Sequence, residues 1–277
     1  MRAVLTIAHL TLAEARRRRI LAAALILGAA FVLLFALGFH CIVRDVRAHA
    51  PSAAQQGLVL SIIVMAALYA ANFLIVMTSV LVTVDTLSGE IGSGVIEALC
   101  TKPVPRWAVA LGKWLGCWAV LALYASLLCG GVLLVARVVG GYTLPNAARG
   151  LPLLLLEGTV LLTLALAGGT RLTTLANGVT VIGLYGLAFV GGWMEQIGTV
   201  ANNATARYIG IAASLLVPSE SLWQLAAHHM QPPLARDLGI GPFSPMSVPS
   251  PAMVAWAAGY VLVALAVAVR SFGSRDL

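Results

Sequence analysis

The sequence predicts an all-α membrane protein with six transmembrane helices, and three observations carry that expectation. Of its 277 residues, 60% are hydrophobic and only 10% are charged, against roughly 45–50% and 25% in soluble domains. A soluble core cannot absorb that much apolar surface. Six segments, 20–39, 57–84, 107–136, 150–168, 175–194 and 252–270, are long and apolar enough to cross a hydrocarbon core of roughly 30 Å. The basic residues that give a formal charge of +7 sit at the ends of those segments, where they act as topology signals. That placement removes the nucleic-acid reading that the charge alone invites.

The chain opens with an amphipathic stretch, 3–19, in which Leu5, Ala8, Leu12 and Ala15 share one helical face and four arginines follow at 16–19. It is expected to lie as a helix in the membrane interface and then turn into the bilayer. The run 20–39 follows a basic cluster, as a signal peptide would. It ends in Phe39-His40-Cys41, without the small residues of a signal-peptidase site, and is expected to be retained as the first span. The second and third segments exceed what a bilayer requires, so each tilts or projects beyond it.

Counting Lys and Arg orients the chain. With the N-terminus inside, eleven lie on the cytoplasmic side: Arg2, the arginines at 16–19, Lys102, Arg106, Lys113, Arg171, Arg270 and Arg275. Six lie outside: Arg44, Arg47, Arg137, Arg149, Arg207 and Arg236. Both termini and the 85–106 segment are therefore expected in the cytoplasm, with the protein in the inner (cytoplasmic) membrane. The apolar stretch 208–217 is too short to span, so 195–217 reads as a re-entrant or outer-interface pair of short segments. Pro218 stops it, and Ser219 is expected to cap an amphipathic helix with Leu222, Leu225 and Ala226 on one side. Residues 231–251 hold six prolines, and 195–251 as a whole is expected to be an extracytoplasmic loop.

Between the second and third spans lies one polar stretch unlike the rest of the chain. It runs from Asp85-Thr86-Leu87-Ser88-Gly89-Glu90 through Ser93-Gly94 and Lys102-Pro103-Val104-Pro105-Arg106 to Gly112-Lys113. Inside hydrocarbon every backbone polar group needs an internal partner, so this stretch is expected outside the core. Ser93 is expected to start a short helix with Val95, Ile96 and Leu99 on one face and Glu90 and Glu97 in water. Lys102 precedes a proline and is biased away from helix, and Val104-Pro105 runs stiff into the third span. A short apolar-faced helix joined rigidly to two spans suits docking into a partner's groove and relaying movement. Lys113 lies roughly 10 Å beyond Arg106 along a helix. Its stem is expected to snorkel back to the headgroups, with Trp107 and Trp114 marking the interface.

These residues resemble the ABC type-2 permease family, the membrane subunits of ABC transporters. In that family the loop after the second span runs acid, glycine, leucine, proline, arginine, Gly-Lys. Here Glu90, Gly94, Leu99, Pro103, Arg106, Gly112 and Lys113 stand at those places. Glu14-Ala15-Arg16, Ala176-Asn177-Gly178, Gly191-Gly192-Trp193, Leu216-Val217-Pro218-Ser219-Glu220, Phe272 and Arg275-Asp276-Leu277 are similar to the same family more weakly. The resemblance implies that 85–106, with Glu97 and Lys102, is a coupling helix seated on a separate ATP-binding subunit. It also implies two copies of that ATPase, a second permease subunit (identical or related), and ATP and Mg held by the ATPase. It favours export over import, near compact permeases serving copper-enzyme maturation, antibiotic resistance or bacteriocin immunity. The segment is expected to transmit force without contributing to chemistry, and Glu90→Ala or Gly94→Leu is expected to leave folding and membrane insertion intact.

Leu87-Ser88-Gly89-Glu90 echoes the signature loop of ABC ATPases. No Gly-x-x-x-x-Gly-Lys-Ser/Thr phosphate loop accompanies it, since Trp114 follows Gly112-Lys113. The chain is therefore not expected to hydrolyse ATP, to bind a cofactor or to act as an enzyme. Glu157, within the fourth span, is a costly acid that must face protein or water. It reads either as a substrate or proton contact or as a partner of Arg149, two turns earlier. Asn72 and Asn177 are candidates for the substrate path or for hydrogen bonds between helices. His228-His229-Met230 carries donors suited to copper, but adjacent histidines on a helix diverge, which favours a surface pair. The four cysteines (Cys41, Cys100, Cys117 and Cys129) show no metal or redox spacing. Two rivals stand beside the transporter. A lipid-modifying enzyme would have only Glu157 and His228-His229 as polar chemistry. An ATPase-driven assembly factor would share the same coupling segment.

Overall fold

The computed structural model describes residues 2–17, 19–50, 52–94, 105–237 and 245–274, and among them the regular structure is helical. In chain order the helices are α1 (Arg2–Arg17), α2 (Arg19–His49), α3 (Ala53–Gly92), α4 (Arg106–Gly140), α5 (Ala147–Gly169), α6 (Thr174–Val200), α7 (Ala204–Leu216), α8 (Ser219–Met230), α9 (Pro233–Asp237) and α10 (Ala252–Gly273). Six of them, α2 to α6 and α10, are long and apolar enough to cross a membrane. They contain the six segments expected from hydropathy, and each extends past the apolar run that predicted it.

The largest extension changes the reading of the polar stretch. α3 continues through Asp85 to Gly92, so the start of that stretch is the end of a spanning helix and not a loop. Ser93 closes the helix, its N–H donating to the Gly89 carbonyl and that of Gly94 to the Ile91 carbonyl, where the sequence suggested that it would open one. Gly94 follows at φ +73°, a left-handed conformation that glycine adopts without steric cost. Glu97, Leu99, Lys102 and Pro103, with Val95, Ile96 and Cys100, lie outside the described residues.

α5 is the central helix. Of its most apolar window 67% is buried, against 11% for α2 at the periphery. It packs against α3, α4, α6, α8 and α10, and Leu154 and Leu162 join Leu68 and Ile75 of α3 and Leu121 and Leu128 of α4 in one buried cluster. The 195–251 region is more structured than a loop. α7 folds back along α6, close enough that a Cβ on Gly191 would stand 2.3 Å from that of Ala213. The turn between α7 and α8 buries Val217 against Val76, Val80 and Leu161. α8 then runs back through the bundle, buried along most of its length. It is thus enclosed by the bundle and not a surface amphipathic helix. Pro218 occupies its N-cap, without a side-chain bond. Ser219, expected to cap it, is buried with its hydroxyl unpartnered. Met230 fills the space beside Gly150, and Trp223 rests on Tyr69 with ring centroids 5.0 Å apart.

α1 lies across α4. Its buried line is Ile7, Thr11 and Ala15, while Leu5, expected on that face, is 65% exposed. The contact depends on two glycines one turn apart. A Cβ on Gly112 would stand 2.6 Å from that of Ile7, and one on Gly116 would stand 2.6 Å from that of Thr11. Small residues at this spacing let helix backbones approach closely. Gly112→Leu and Gly116→Leu should each destabilise the chain by about 1–3 kcal/mol and release α1. Limited proteolysis between α1 and α2, with thermal unfolding, reads both effects. Gly130→Ala, where a Cβ meets nothing within 4 Å, should change neither.

Candidate functional site

The polar stretch roots in a buried ion pair. Lys113, one residue past the glycine that seats α1, points its Nζ at the Glu90 carboxylate, and the pair ties α4 to the last turn of α3. Their side chains are only 6% and 13% exposed. The isolated sequence context gave neither partner: Lys113 meets a carboxylate on α3, and Glu90 does not stand in water. The reason is geometric. α3 and α4 lie side by side at this level and α1 covers α4, so each charge reaches the other before it reaches solvent.

Further polar ties gather the same end of the bundle. The Thr174 hydroxyl, at the start of α6, donates to Asp85 Oδ1 at 3.1 Å and lies 2.9 Å from Ser88 Oγ. Gly89 leaves room for the Asp85 carboxylate, which would lie 2.1 Å from a Cβ there. Asn177 donates to the carbonyls of Ala165 at 2.7 Å and Val84 at 3.3 Å, joining α6 to α5 and α3. Arg106, at the start of α4, donates to the Gly273 carbonyl at the end of α10 at 3.2 Å. Arg171 Nε donates to Ser271 Oγ at 2.9 Å. Of the residues predicted for coupling, Glu90, Arg106, Gly112 and Lys113 meet here, with Gly94 at the margin. Trp114, expected at the interface, instead donates inward to Thr163 at 2.9 Å, as Trp118 does to Thr159 at 3.1 Å.

A second polar group sits in the middle of the bundle. Glu157 on α5 is fully buried and accepts from Asn72 Nδ2 on α3 at 3.0 Å. Two residues that sequence placed separately are thus partners, and exposed Arg149 is not the partner of Glu157. Glu157 Oε1 and Asn72 Oδ1 have no hydrogen-bond partner among the described residues. Glu220, in the first turn of α8, is buried beside Gly192 and hydrogen-bonds Gln224. Burial pushes its carboxyl up to about 7, against the lowering effect of the Gln224 bond.

From Gln224 a chain of bonds leads to residues 246–247. Gln196 Nε2 donates to Gln224 Oε1 at 3.1 Å, and Gln196 Oε1 accepts from the backbone N–H groups of Met246 and Ser247. The Ser247 hydroxyl donates to Glu195 at 2.6 Å. Glu195, Gln196 and Gln224 were not singled out from sequence, and Glu220 appeared only within a matched stretch. Their signal was weak because they flank or follow the fifth apolar run, where polar residues ordinarily face water. Among the described residues no three His, Cys, Asp or Glu side chains gather as metal ligands.

A family model described as ABC-2 family transporter protein matches residues 5–277. No curated protein matches the chain.

Two outcomes follow from the buried acids. Removing one partner of the Glu90–Lys113 pair leaves an uncompensated buried charge, which costs about 3–5 kcal/mol, whereas replacing both with apolar residues is often neutral. Glu90→Ala should therefore not be neutral to folding. It should lower thermal stability sharply, and Glu90→Leu combined with Lys113→Met should recover most of the loss. For Glu220 the folded carboxyl holds its proton to about pH 7, against 4.5 ordinarily, so the folded state binds more protons between those values. Its contribution is full below about 4.5 and is lost as pH rises towards about 7. Unfolding temperature in detergent should fall from pH 5 to pH 8, and Glu220→Gln should flatten that dependence.

Proposed function

We propose that this chain, which belongs to the ABC-2 family of transporter proteins and is the membrane subunit of an ABC transporter, exports its cargo under force from a separate ATP-binding subunit seated on residues 85–106. The observation that carries the reading is the buried Glu90–Lys113 pair at the root of that segment. A push on the segment meets α3 and α4 already joined. The Thr174–Asp85 bond passes it to α6, and the Arg106–Gly273 bond passes it to α10. Docked α1 stiffens the outer side of α4. The helices at this end therefore respond together, as a device that turns a partner's closure into a change of the transport path must.

In this reading the working assembly has two copies of the ATPase and a second permease subunit, identical or related. ATP and Mg bind in the ATPase, and this chain supplies no catalytic group. The basic-residue balance of eleven to six supports cytoplasmic termini and a cytoplasmic 85–106 segment in the inner membrane. A cysteine introduced at Ser244 should then be labelled from outside, and one at Ser93 should not, in a background without the native cysteines. The reverse pattern overturns the orientation.

Gly94 gives the direct test of coupling. At φ +73° an L side chain costs about 1–2 kcal/mol, and a Cβ there meets nothing within 4 Å. Gly94→Leu should leave the membrane helices intact while weakening association with the ATPase on the order of tenfold. Co-purification of the ATPase, measured with transport in vesicles, decides the matter. Association and transport at the level of the unmodified chain would show that the segment is not the coupling element.

A further inference from the structure

The middle of the bundle holds an acid and an amide that are each half satisfied. Asn72 Nδ2 on α3 donates to Glu157 Oε2 on α5 at 3.0 Å. The other oxygen of each residue, Glu157 Oε1 and Asn72 Oδ1, has no hydrogen-bond partner among the described residues, and both atoms are closed off from the surface. Two orphaned acceptors on one bonded pair are a donor short. A neutral carboxyl group has that donor, since it carries one O–H beside its remaining acceptor capacity.

The surroundings favour the neutral form. Glu157 is fully buried, and Asn72 is only 2% exposed. Leu154 and Leu161, one turn either side of Glu157, and Leu68 and Val76, one turn either side of Asn72, are exposed by 1% or less. A Cβ on Gly158 would stand 3.3 Å from Ile75 Cγ2, so α3 and α5 are in close contact beside the pair. The charged group that acts on Glu157 is another acid, Glu220 on α8, and Tyr69 of α3 and Tyr185 of α6 lie within reach of both. Of the other helices against α5, α4 carries Cys117 and Tyr124, with Lys113 committed to Glu90, and α10 carries Tyr260 and, in its last turn, Arg270. A carboxylate with one hydrogen bond and an acid for a neighbour is costly where nothing solvates it.

We propose that Glu157 is a proton-binding site: its Oε1 carries a hydrogen and donates it to Asn72 Oδ1, closing a neutral acid–amide ring that fixes α5 to α3. Each side then gives one donor and takes one acceptor, and both orphans are satisfied. Glu157 is a positioning residue in this arrangement, neither a counter-charge for cargo nor a carrier that must give its proton up. The ring is independent of the coupling reading, because every measurement below is made without an ATPase.

The test takes the full chain in dodecyl maltoside, a detergent without a carbonyl group, at pH 8, where the Glu220 carboxyl, at about 7, is mostly ionised. Infrared spectra of the unmodified chain should show the carbonyl stretch of a neutral carboxylic acid, and Glu157→Gln should remove it. The same variant should keep the unfolding temperature, because its amide replaces the O–H as donor to Asn72. Exchanging the two groups reads the ring directly. Asn72→Asp alone sets two acids face to face, so its stability is held at low pH, where both are neutral, and lost as pH rises. Its unfolding temperature should therefore fall between pH 5 and pH 8 more steeply than that of the unmodified chain. Asn72→Asp combined with Glu157→Gln restores an acid–amide ring of the same size with the proton on α3. That double variant should recover both the unfolding temperature and the neutral-acid band.

A carboxylate in place of the neutral acid at pH 8 would overturn the proposal, because water or a metal cation would then fill the gap between the two oxygens. A Glu157→Gln chain that loses stability would overturn it as well, and so would a double variant no more stable than Asn72→Asp. If Asn72→Asp fails to fold, the spectra of the unmodified chain and of Glu157→Gln still decide the matter.

Discussion

Hydrocarbon offers no hydrogen bonds, and that constraint organises this molecule more than any single contact. A polar side chain away from water gains by finding a partner in the protein, and lipid tails are as apolar as the leucines that meet them. Apolar packing alone therefore sets little preference for register. The polar pairs do. Asn177 bonds carbonyls on α3 and α5, Asn72 bonds Glu157, and Trp114 and Trp118 bond threonines one turn apart on α5. Each pair has one depth at which it can form, so together they index α3, α4, α5 and α6 against one another.

Glycine supplies the complementary half of the arrangement. Where two backbones approach, a missing Cβ is what allows it: Gly112 and Gly116 under α1, Gly191 under α7, and Gly150 under Met230. The same device makes room for polar groups. Gly89 accommodates the Asp85 carboxylate, Gly168 the Asn177 amide and Gly192 the Glu220 stem. Close approach and polar pairing thus occur at the same places, because a short side chain reaches a partner only when the helices are near.

The result is a bundle with two mechanical characters. At the Glu90 end the polar ties connect α3, α4, α5, α6 and α10 into a continuous network. On the α2 side the packing is sparse, and a cleft lies open beside one buried amide and two buried acids. A stiff end that takes up force and a looser side that can change its opening suit a membrane subunit moved by another protein. The Gln196 and Glu195 bonds to residues 246–247 hold the opposite end of α6, so a displacement of α6 is felt at both ends.

The number and place of the spanning helices were legible in the sequence because they depend on a local sum. About twenty apolar residues satisfy the length of the hydrocarbon whatever surrounds them. The family was legible too, since acid, glycine, proline, arginine and Gly-Lys occur in one order over a short stretch. What needed the tertiary structure was the partner of each polar group. Glu90 and Lys113 are separated by 23 positions, and Asn72 and Glu157 by 85. No local rule pairs residues that far apart, so each was read against its own neighbourhood, water for Glu90, headgroups for Lys113 and Arg149 for Glu157. α8 shows the same limit. Its serines, glutamate, glutamine and histidines are those of a surface helix, and it is buried because α5, α6 and α3 surround it. Hydropathy is a property of a segment and was fixed by the chain alone. Burial is a property of what encloses the segment, and only the folded bundle decided it.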